Sequence, residues 1–440
     1  MRFDYFFRRA KECGIEDAEL YVTSTTSLSM SLFHGEIDQL SQNTSLSVIA
    51  RGMVGGKCGS ASCDVWDRSK ADYLIREILA NAAVIENDDP QFLFEGSPRY
   101  RRVNTFNAQL SSVSLDEKKN VLLSLEDKIR HYDERITEVE GVSYSERTYS
   151  TVIRNSKGLK LSQKGNYFYF YGGAVAKSGE QVKTGGELFL DNDFSKFDLD
   201  AFAKVVAENA IAQLGGEACE SSTYPAVLSQ EVVSSLLSSY IHSADAEEVQ
   251  KRSSLFINRL NKAVASSKVT VEDRPLDKTV FARAFDDEGV ATYNKPIIRN
   301  GRLKTYLYNL TTAAKSGTKS TGNASRRGGK IGVAPAFLSM KPGTMTQEDL
   351  FRLMGNGVFI TEIHGMHAGL NPQSGNFSLQ STGFLVKDGR RDRPLDIITV
   401  SGNLMELFKD VTEVGSDLRT FPSSVSCPSV LVRKLKVAGK

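Results

Sequence analysis

The sequence predicts an α+β protein, with an N-terminal half of two α/β sub-domains and a C-terminal half that is a large, mainly antiparallel or mixed β-sheet domain with a few helices. Three observations lead to this prediction. Residues 18–63 alternate apolar and polar side chains, which is the period of a strand. Residues 71–82 repeat apolar side chains at helical spacing. Beyond residue 225, short β-prone segments are separated by Gly, Asn and Pro.

The N-terminal half is predicted to run in the order β, α, α, β. A turn at His34-Gly35 divides the first β region. Residues 86–104 contain two prolines that interrupt regular structure, so this segment is predicted to be a linker. The elements that follow are a helix at 115–133, strands at 136–190 and a helix near 198–214.

A glycine-rich, polar segment, GGEACESSTYP at 215–225, gives the clearest signal of a domain boundary. The predicted domains are residues 1–110, 111–218 and 219–440. Within the last of them the predicted helices are 229–243, 254–266 and 403–411.

Composition restricts the classes of partner and the compartment. A formal net charge of +2 provides no overall field that would attract nucleic acid or an anionic membrane. No segment approaches the roughly 18 apolar residues of a membrane span, and the N-terminus is too charged for a signal peptide. The five cysteines are scattered and form no C-x-x-C pair, which is typical of a reducing compartment. A cytoplasmic protein is therefore expected.

Two of the five histidines, His364 and His367, lie close together in ITEIHGMHAGLNPQSGNFSLQSTGFLVKDG, residues 360–389. Neighbouring glycines and the preceding β-prone residues argue against a helix, and in a strand the two rings would point to opposite faces. A zinc site also needs a third protein ligand. These histidines are predicted to line a polar loop or pocket. The alternative is a metal-dependent hydrolase that uses them, with Glu362 as a further ligand.

Two other segments invite a functional interpretation. The carboxylates of FDDEG, residues 285–289, are able to hold a hard cation, but such a run before glycine is more typical of a solvated turn. The basic, glycine-rich segment 315–332 is able to cradle an anion with Arg326, Arg327 and Lys330. It lacks the P-loop pattern, so a flexible loop is favoured.

The predicted helix at 229–243 carries Ser238 and His242 on its polar side. A serine near a histidine suggests a hydrolase, but no orienting acid and no nucleophile elbow is visible. A small polar face packed near another surface is the favoured interpretation.

Taken together, several motifs resemble those of the TldD/PmbA family, also called modulator of DNA gyrase. They are GEIDQLSQNTSLSVIARGMVGG (35–56), FDDEGVAT (285–292), PIIRNGRLKTYLYNLTTA (296–313), STGNASRR (320–327), TEIHGMHAGLNPQSGNFSLQSTGFLVKDG (361–389) and ITVSGNLMELFKDVTEVG (398–415). The resemblance extends over nearly the whole chain and keeps the order of the motifs.

The resemblance implies a cytosolic two-component protease in which a TldD-type subunit pairs with a PmbA/TldE-type subunit. The TldD-type subunit carries an H-E-x-x-x-H helix and a later cysteine as zinc ligands. Its glutamate is the base that activates the zinc-bound water. Three protein ligands leave the fourth zinc position open for that water.

This sequence does not supply those residues. The family's zinc helix aligns with LLSSYIHSADAEE (236–248), so its two histidines fall on Ser238 and Ser243 and its glutamate on Ser239. A shift of one residue matches His242 but places Leu237 and Ser238 in the other two roles. Cys427 lies near the position of the ligand cysteine, but a single ligand does not hold zinc.

The chain therefore resembles the PmbA/TldE-type subunit, without a zinc site or confident catalytic residues of its own. Zinc is expected in a TldD-type partner, and a homodimer is the alternative assembly. The expected substrate is a peptide or an unfolded polypeptide. A gyrase-associated regulator is a further alternative, although the charge argues against direct DNA binding. Residues expected to face substrate or partner are Glu362, His364, His367, Asn371, Ser374, Asn323 and Arg326.

Overall fold

The structure is a computed structural model that describes residues 3–86 and 89–440. It confirms the α+β class, with helices packed on antiparallel and mixed sheets. Residues 87 and 88 of the predicted linker lie outside the described residues, as do residues 1 and 2. Within the described ranges, no helix is both long enough and apolar enough to cross a membrane.

The N-terminal half is built on one six-stranded antiparallel sheet, in the order β3-β2-β1-β4-β5-β6. β1 pairs along its length with β2 on one side and β4 on the other, so strands from both predicted sub-domains share this sheet. The domain borders at 110 and 218 stay a prediction. The strands are β1 (Asp17–Phe33), β2 (Glu36–Val54), β3 (Lys57–Cys63), β4 (Ile136–Asn155), β5 (Lys160–Ser178) and β6 (Gln181–Asp191).

The helices of this half cover one face of the sheet in two groups. Near the start of β1, Leu20 and Val22 pack beneath α1 and α2, and near its end Met30 and Leu32 pack beneath α3 and α4. All four side chains occupy even positions of one strand, and alternation therefore places them on one face. The helices are α1 (Asp4–Glu12), α2 (Arg68–Val84), α3 (Leu115–Arg130) and α4 (Leu199–Ile211).

The opposite face of the sheet meets the C-terminal half. Tyr21, Ile49 and Ile153 are buried there against Leu159 and against Phe285 from the C-terminal half. The N-terminal sheet is thus buried on both faces in this region, so Leu20, Tyr21 and Val22 are buried in succession and the predicted alternation of apolar and polar side chains does not hold there.

The C-terminal half contains two larger sheets and a hairpin. In one sheet, the pairing of β16 with β20 closes β16-β15-β14-β7-β20 into a ring, and β17 pairs with β20. The other sheet has the order β10-β9-β8-β13-β19-β18. The strands are β7 (Ser222–Leu228), β8 (Val271–Asp273), β9 (Lys295–Arg299), β10 (Arg302–Leu303), β11 (Ala324–Arg327), β12 (Lys330–Val333), β13 (Leu338–Met340), β14 (Gly357–His364), β15 (Asn376–Lys387), β16 (Arg390–Asn403), β17 (Val411–Val414), β18 (Arg419–Phe421), β19 (Val425–Cys427) and β20 (Val430–Ala438).

The helices of this half differ in part from those predicted. The helix predicted at 229–243 is confirmed as α5, and its six predicted apolar side chains are buried. The helix predicted at 403–411 is present as α10. The remaining helices were not predicted. The helices are α5 (Gln230–Ile241), α6 (Ala246–Gln250), α7 (Leu310–Lys315), α8 (Gln347–Met354), α9 (Met366–Gly369) and α10 (Leu404–Lys409).

The prediction of a helix at 254–266 is wrong. This segment is a series of turns, with Asn258 and Asn261 in the left-handed region at φ of 57° and 62°. Its backbone carbonyls accept hydrogen bonds from buried tyrosines: Tyr306 donates to Phe256 at 2.6 Å, and Tyr240 donates to Val264. These tertiary bonds take the place of the hydrogen bonds that a helix would form within the segment.

FDDEG forms the predicted turn, with Gly289 at φ of +88°, but the prediction that it is solvated is wrong. Asp286, Asp287 and Glu288 are 2–5 % exposed because the turn packs between the two halves of the chain. Asp286 accepts hydrogen bonds from three backbone N–H groups, at 2.9–3.0 Å. Burial, and then the charge of Glu288, raises the pKa of Asp286.

A charged cluster surrounds this turn and connects the two halves. Glu19 on β1 accepts from Arg51 on β2 at 2.7 and 3.0 Å, and from Arg326 on β11 at 3.3 Å. Tyr21 donates to Asp287 at 2.9 Å, and the Arg326 guanidinium lies 4.5 Å from the centre of the Tyr21 ring. Most of the hairpin β11–β12 lies in the segment 315–332, which was predicted to be a flexible loop, and Arg326 connects this hairpin to the cluster.

We expect Gly59→Ala to lower the free energy of unfolding by roughly 1–3 kcal/mol, because the added methyl group overpacks the contact between β3 and α2. A Cβ at Gly59 would lie 2.0 Å from the carbonyl oxygen of Ile78, which belongs to a helix backbone and has no rotamer that relieves the clash. The measurement is urea unfolding followed by circular dichroism.

Gly141→Ala is the control, because Gly141 also lies in a strand of this sheet and a Cβ there would meet nothing closer than 4.0 Å. We expect its effect to stay within about 0.5 kcal/mol. Equal unfolding midpoints for the two variants would contradict the close approach of α2 to β3.

Candidate functional site

A cavity of about 850 Å³ opens in the C-terminal half, next to the end of α5. Its walls come from α5 and α6, the hairpin β11–β12, α9 and the connection between β18 and β19. Polar side chains on its walls are Ser238, Ser239, His242, Asp245, Glu247, Glu248, Ser325, Arg327, Lys330, His367, Ser423 and Ser424. Apolar side chains on its walls are Ile241, Leu307, Val333, Ala334, Pro335, Leu338, Met366, Leu370, Pro372 and Val425.

The two serines of α5 that line the cavity are already hydrogen-bonded within the helix. Ser238 donates to the carbonyl of Ser234 at 2.7 Å, and Ser239 donates to the carbonyl of Ser235 at 3.3 Å. The α-helix ends at Ile241, and one 3₁₀ turn leads to Asp245, which caps α6. His242 follows Ile241 on the exposed rim.

Ser243 and Cys427 do not reach the cavity. Ser243 is buried, and its carbonyl accepts from Ser254 at 2.5 Å. Cys427 is fully buried, and its thiol donates to the carbonyl of Gln230, about two helical turns before Ser238. Burial raises the pKa of the Cys427 thiol, whereas zinc binds the thiolate.

Three carboxylates line the cavity, and each has a protein partner. Glu247 pairs with Lys251 at 2.6 Å and with Lys330 at 3.3 Å. Glu248 accepts from Ser253 at 2.5 Å. Among residues 3–86 and 89–440, no group of three or more His, Cys, Asp or Glu side chains is placed to hold a metal ion.

The third carboxylate, Asp245, was not singled out from the sequence. It is 6 % exposed and accepts from the backbone N–H of Glu247 at 2.8 Å. Burial raises the pKa of Asp245 to about 7. The order Asp-Ala-Glu-Glu at 245–248 is a signal for a helix N-terminus, which would have identified Asp245 as the cap of α6 but not its position beside the cavity.

The structure separates His364 from His367. β14 ends at His364, Gly365 takes a left-handed conformation with φ of 74°, and α9 begins at Met366. His367 lines the cavity, whereas His364 is exposed, and its Nε2 lies 3.5 Å from the carboxylate of Glu362.

Glu362 belongs to a second cavity, of about 810 Å³, between the N-terminal sheet and the C-terminal half. Tyr171 and Glu187 from the N-terminal half line it together with Glu231 and Arg419 from the C-terminal half. Glu187 and Arg419 form an ion pair across it. Glu362 and His367 therefore do not share one site.

The other residues expected to face a substrate fall into two groups. Asn371 and Ser374 lie in an exposed turn, where the Asn371 side chain accepts from the N–H groups of Gln373 and Ser374 at 3.0 Å. Asn323 is 1 % exposed and donates to Asp273, and the Arg326 side chain is 1 % exposed inside the charged cluster. The side chains of Asn323 and Arg326 are therefore buried within this chain. Their hydrogen bonds stabilise the fold and are not available to a substrate.

Family models match the chain in three segments: the PmbA/TldA metallopeptidase domain 1 at 18–82, the central domain at 108–214 and the C-terminal domain at 221–439. The chain superposes with a TM-score of 0.93 on a protein from Thermotoga maritima that is described as a modulator of a DNA gyrase. The two chains are 30% identical, and 99% of each is covered. The chain belongs to the TldD/PmbA family.

Other family members agree with this assignment. Metalloprotease PmbA of Escherichia coli O157:H7 is 25% identical over 435 residues, which cover 97% of this chain and 93% of that protein. The PmbA homologue of Haemophilus influenzae is 24% identical over 430 residues, covering 96% and 92%. TldE of Thermococcus kodakarensis has the same fold, with a TM-score of 0.91, 22% identity and coverage of 99% and 100%.

We expect Asp245→Asn to make stability less dependent on pH. With a folded pKa of about 7 and an ordinary value of about 3.9, the folded state holds this proton more tightly than the unfolded state. The resulting stabilisation is complete below about pH 4 and is lost as the pH rises through 7. Asparagine keeps the cap of α6 but does not titrate. Urea unfolding at pH 5 and pH 8 measures the difference.

Glu348→Gln, an exposed change in the first turn of α8, is the matched control and should reproduce the pH dependence of the unaltered chain. If Asp245→Asn and Glu348→Gln show the same difference in unfolding free energy between the two pH values, Asp245 is not protonated in the folded state.

Proposed function

We propose that this chain is the PmbA/TldE-type subunit of a two-component metallopeptidase and has no zinc site of its own. The observation that carries the proposal is the content of the cavity at the end of α5. Where the family resemblance implies the H-E-x-x-x-H helix, this chain has Ser238, Ser239 and Ser243. The first two hydroxyls are bonded to the helix backbone and the third residue is buried.

The remaining groups in the cavity support the same proposal. Glu247 and Glu248 already have partners, and the raised pKa of Asp245 favours its neutral form, which is a poor metal ligand. His242 and His367 are the two imidazoles on the cavity wall, and zinc catalysis requires a third protein ligand. A zinc-loaded TldD-type chain is therefore the proposed partner, with a homodimer as the alternative assembly.

The cavity also supports the proposed substrate class, a peptide or an unfolded polypeptide. Its volume of about 850 Å³ lies within the range of ligand sites, and it combines apolar side chains with polar groups of both charges. Such a lining accepts varied side chains. We propose that the cavity binds a peptide segment delivered to the partner's zinc, in the cytoplasm.

The alternatives receive less support. A metal-dependent hydrolase that uses His364 and His367 requires both imidazoles at one site, and they lie on different parts of the surface. A gyrase-associated role is suggested by the description of the Thermotoga maritima protein, and the formal net charge of +2 adds no support for direct DNA binding.

The first test is the metal content and the peptidase activity of the chain purified alone without chelators. We expect less than a tenth of an equivalent of zinc by mass spectrometry and no cleavage of unfolded polypeptide, because the required ligands are missing. Adding a zinc-loaded TldD-type chain should produce a complex and cleavage. Stoichiometric zinc together with cleavage by this chain alone would overturn the proposal.

The second test fills the cavity. We expect Ser239→Arg, in a complex with a TldD-type chain, to weaken the binding of a fluorescent unfolded polypeptide at least tenfold, because the long side chain occupies the proposed peptide site. His364→Ala alters an exposed histidine outside the cavity and should leave the affinity unchanged. Equal affinities of the two variants would exclude this cavity as the peptide site.

A further inference from the structure

A smaller cavity, of about 390 Å³, lies where the N-terminal sheet meets the C-terminal half. Residues of β2 and β3 line one side of it, and residues of α6, α7, the FDDEG turn and the hairpin β11–β12 line the other. Its wall shares Glu247 and Lys330 with the cavity beside α5. The volume lies near the lower end of the range for small-molecule sites.

Two buried side chains of opposite charge line this cavity, and each has an unused hydrogen-bonding atom. Glu288 is 2 % exposed and Arg51 is 5 % exposed. Glu288 accepts from the backbone N–H of Leu310 at 2.8 Å through Oε2, and Arg51 donates to Glu19 through Nε and Nη2. Within the described residues, Oε1 of Glu288 and Nη1 of Arg51 have no hydrogen-bond partner.

Glu288 and Arg51 do not neutralise each other by direct contact. The guanidinium of Arg51 is paired with Glu19, and the described part of the chain contains no ion pair between Arg51 and Glu288. Burial raises the pKa of Glu288, and the charge of Arg51 offsets only part of this rise. A cation in contact with Glu288 would therefore stabilise its ionised form.

The other charged side chains on the wall already have partners. Lys315 pairs with Asp89, and Glu247 pairs with both Lys251 and Lys330. The two buried groups are therefore the ones that a ligand would satisfy, and they differ in what they require. One has an N–H group to donate from a cation, and the other has an oxygen that accepts as an anion.

These two requirements define the chemical class of the ligand. A guanidinium binds a carboxylate by charge-assisted hydrogen bonds, and a carboxylate binds an ammonium in the same way. A simple anion such as phosphate would be repelled by Glu288, and a simple cation would be repelled by Arg51. A zwitterion that carries both a carboxylate and an ammonium matches the two groups together.

We propose that this cavity binds a small zwitterion, either a free α-amino acid or a dipeptide, with its carboxylate on Nη1 of Arg51 and its ammonium on Oε1 of Glu288. The site is built between the two halves of the chain and does not use the serines of α5. The proposal is independent of the proposed peptidase role.

Equilibrium dialysis of the unaltered chain against each proteinogenic L-amino acid, and against alanyl-alanine, tests the ligand class. We expect at least one of these probes to bind with one molecule per chain. Its N-acetyl derivative and its amide should each bind at least tenfold more weakly, because the first lacks the ammonium and the second lacks the carboxylate. Comparison of the free amino acids with the dipeptide distinguishes the two forms of zwitterion.

Glu288→Gln tests the position of the ammonium. Glutamine keeps an oxygen that can accept from the N–H of Leu310, but it carries no charge. We expect the variant to bind the zwitterion at least tenfold more weakly and to bind its N-acetyl derivative as the unaltered chain does. A general disturbance of the cavity would instead weaken the binding of both compounds.

Ser60→Trp tests the location of the site without altering the charged cluster. Ser60 is a half-buried residue of β3 on the cavity wall, and a tryptophan there should fill the cavity and abolish binding. Ser62→Trp is the matched control, because Ser62 is exposed on the same strand outside the cavity and should leave the affinity unchanged. Circular dichroism spectra verify that all variants are folded.

Four outcomes would overturn the proposal. The first is that no amino acid and no dipeptide binds, which would leave the cavity to water. The second is that the N-acetyl derivative or the amide binds as tightly as the zwitterion. The third is equal binding by Ser60→Trp and Ser62→Trp. The fourth is binding of inorganic phosphate but of no zwitterion, which would identify an anion site instead.

Discussion

The buried charged cluster at the junction of the two halves is the interaction on which the rest of the structure depends. Glu19 accepts hydrogen bonds from Arg51 of the N-terminal sheet and from Arg326 of the C-terminal half, so one carboxylate joins elements 307 residues apart in sequence. Removing one partner from such a buried pair typically costs about 3–5 kcal/mol, because the remaining charge is left uncompensated. The two halves are therefore coupled by charge as well as by the apolar contact at Phe285.

The cluster also shapes the cavity beside α5. Successive residues of a strand point to opposite sides, and β11 directs Arg326 into the cluster and Arg327 to the cavity wall. One side of the hairpin β11–β12 is thus attached to the N-terminal sheet through Arg326. The other side places Arg327 and Lys330 on the cavity wall. The position of that wall is set by Glu19 and Tyr21, which lie on a different sheet. The N-terminal half accordingly contributes to the site without lining it.

Much of this architecture follows from local sequence patterns. The long strands, the helices α2 to α5 and the buried face of α5 were predictable, because alternation and helical spacing are strong there. The segment 254–266 was not, since its conformation is determined by tyrosines that lie 24 and 50 residues from the carbonyls they bind. The burial of Asp286–Glu288 and the inward direction of Arg326 were likewise not predictable, because their charge partners lie on elements distant in sequence.

The position of β1 between β2 and β4 in the N-terminal sheet affects how the chain folds during synthesis. Glu19 of β1 pairs with Asn155 and Leu32 with Val142, so the central strand waits for more than 100 residues before its second neighbour exists. At a typical translation rate that interval is roughly 5 to 25 seconds. During this interval β1 of the ribosome-bound chain pairs with β2 on one side, and its other edge is open to solvent. Until β4 is synthesised, the open edge of β1 is exposed to non-native strand pairing.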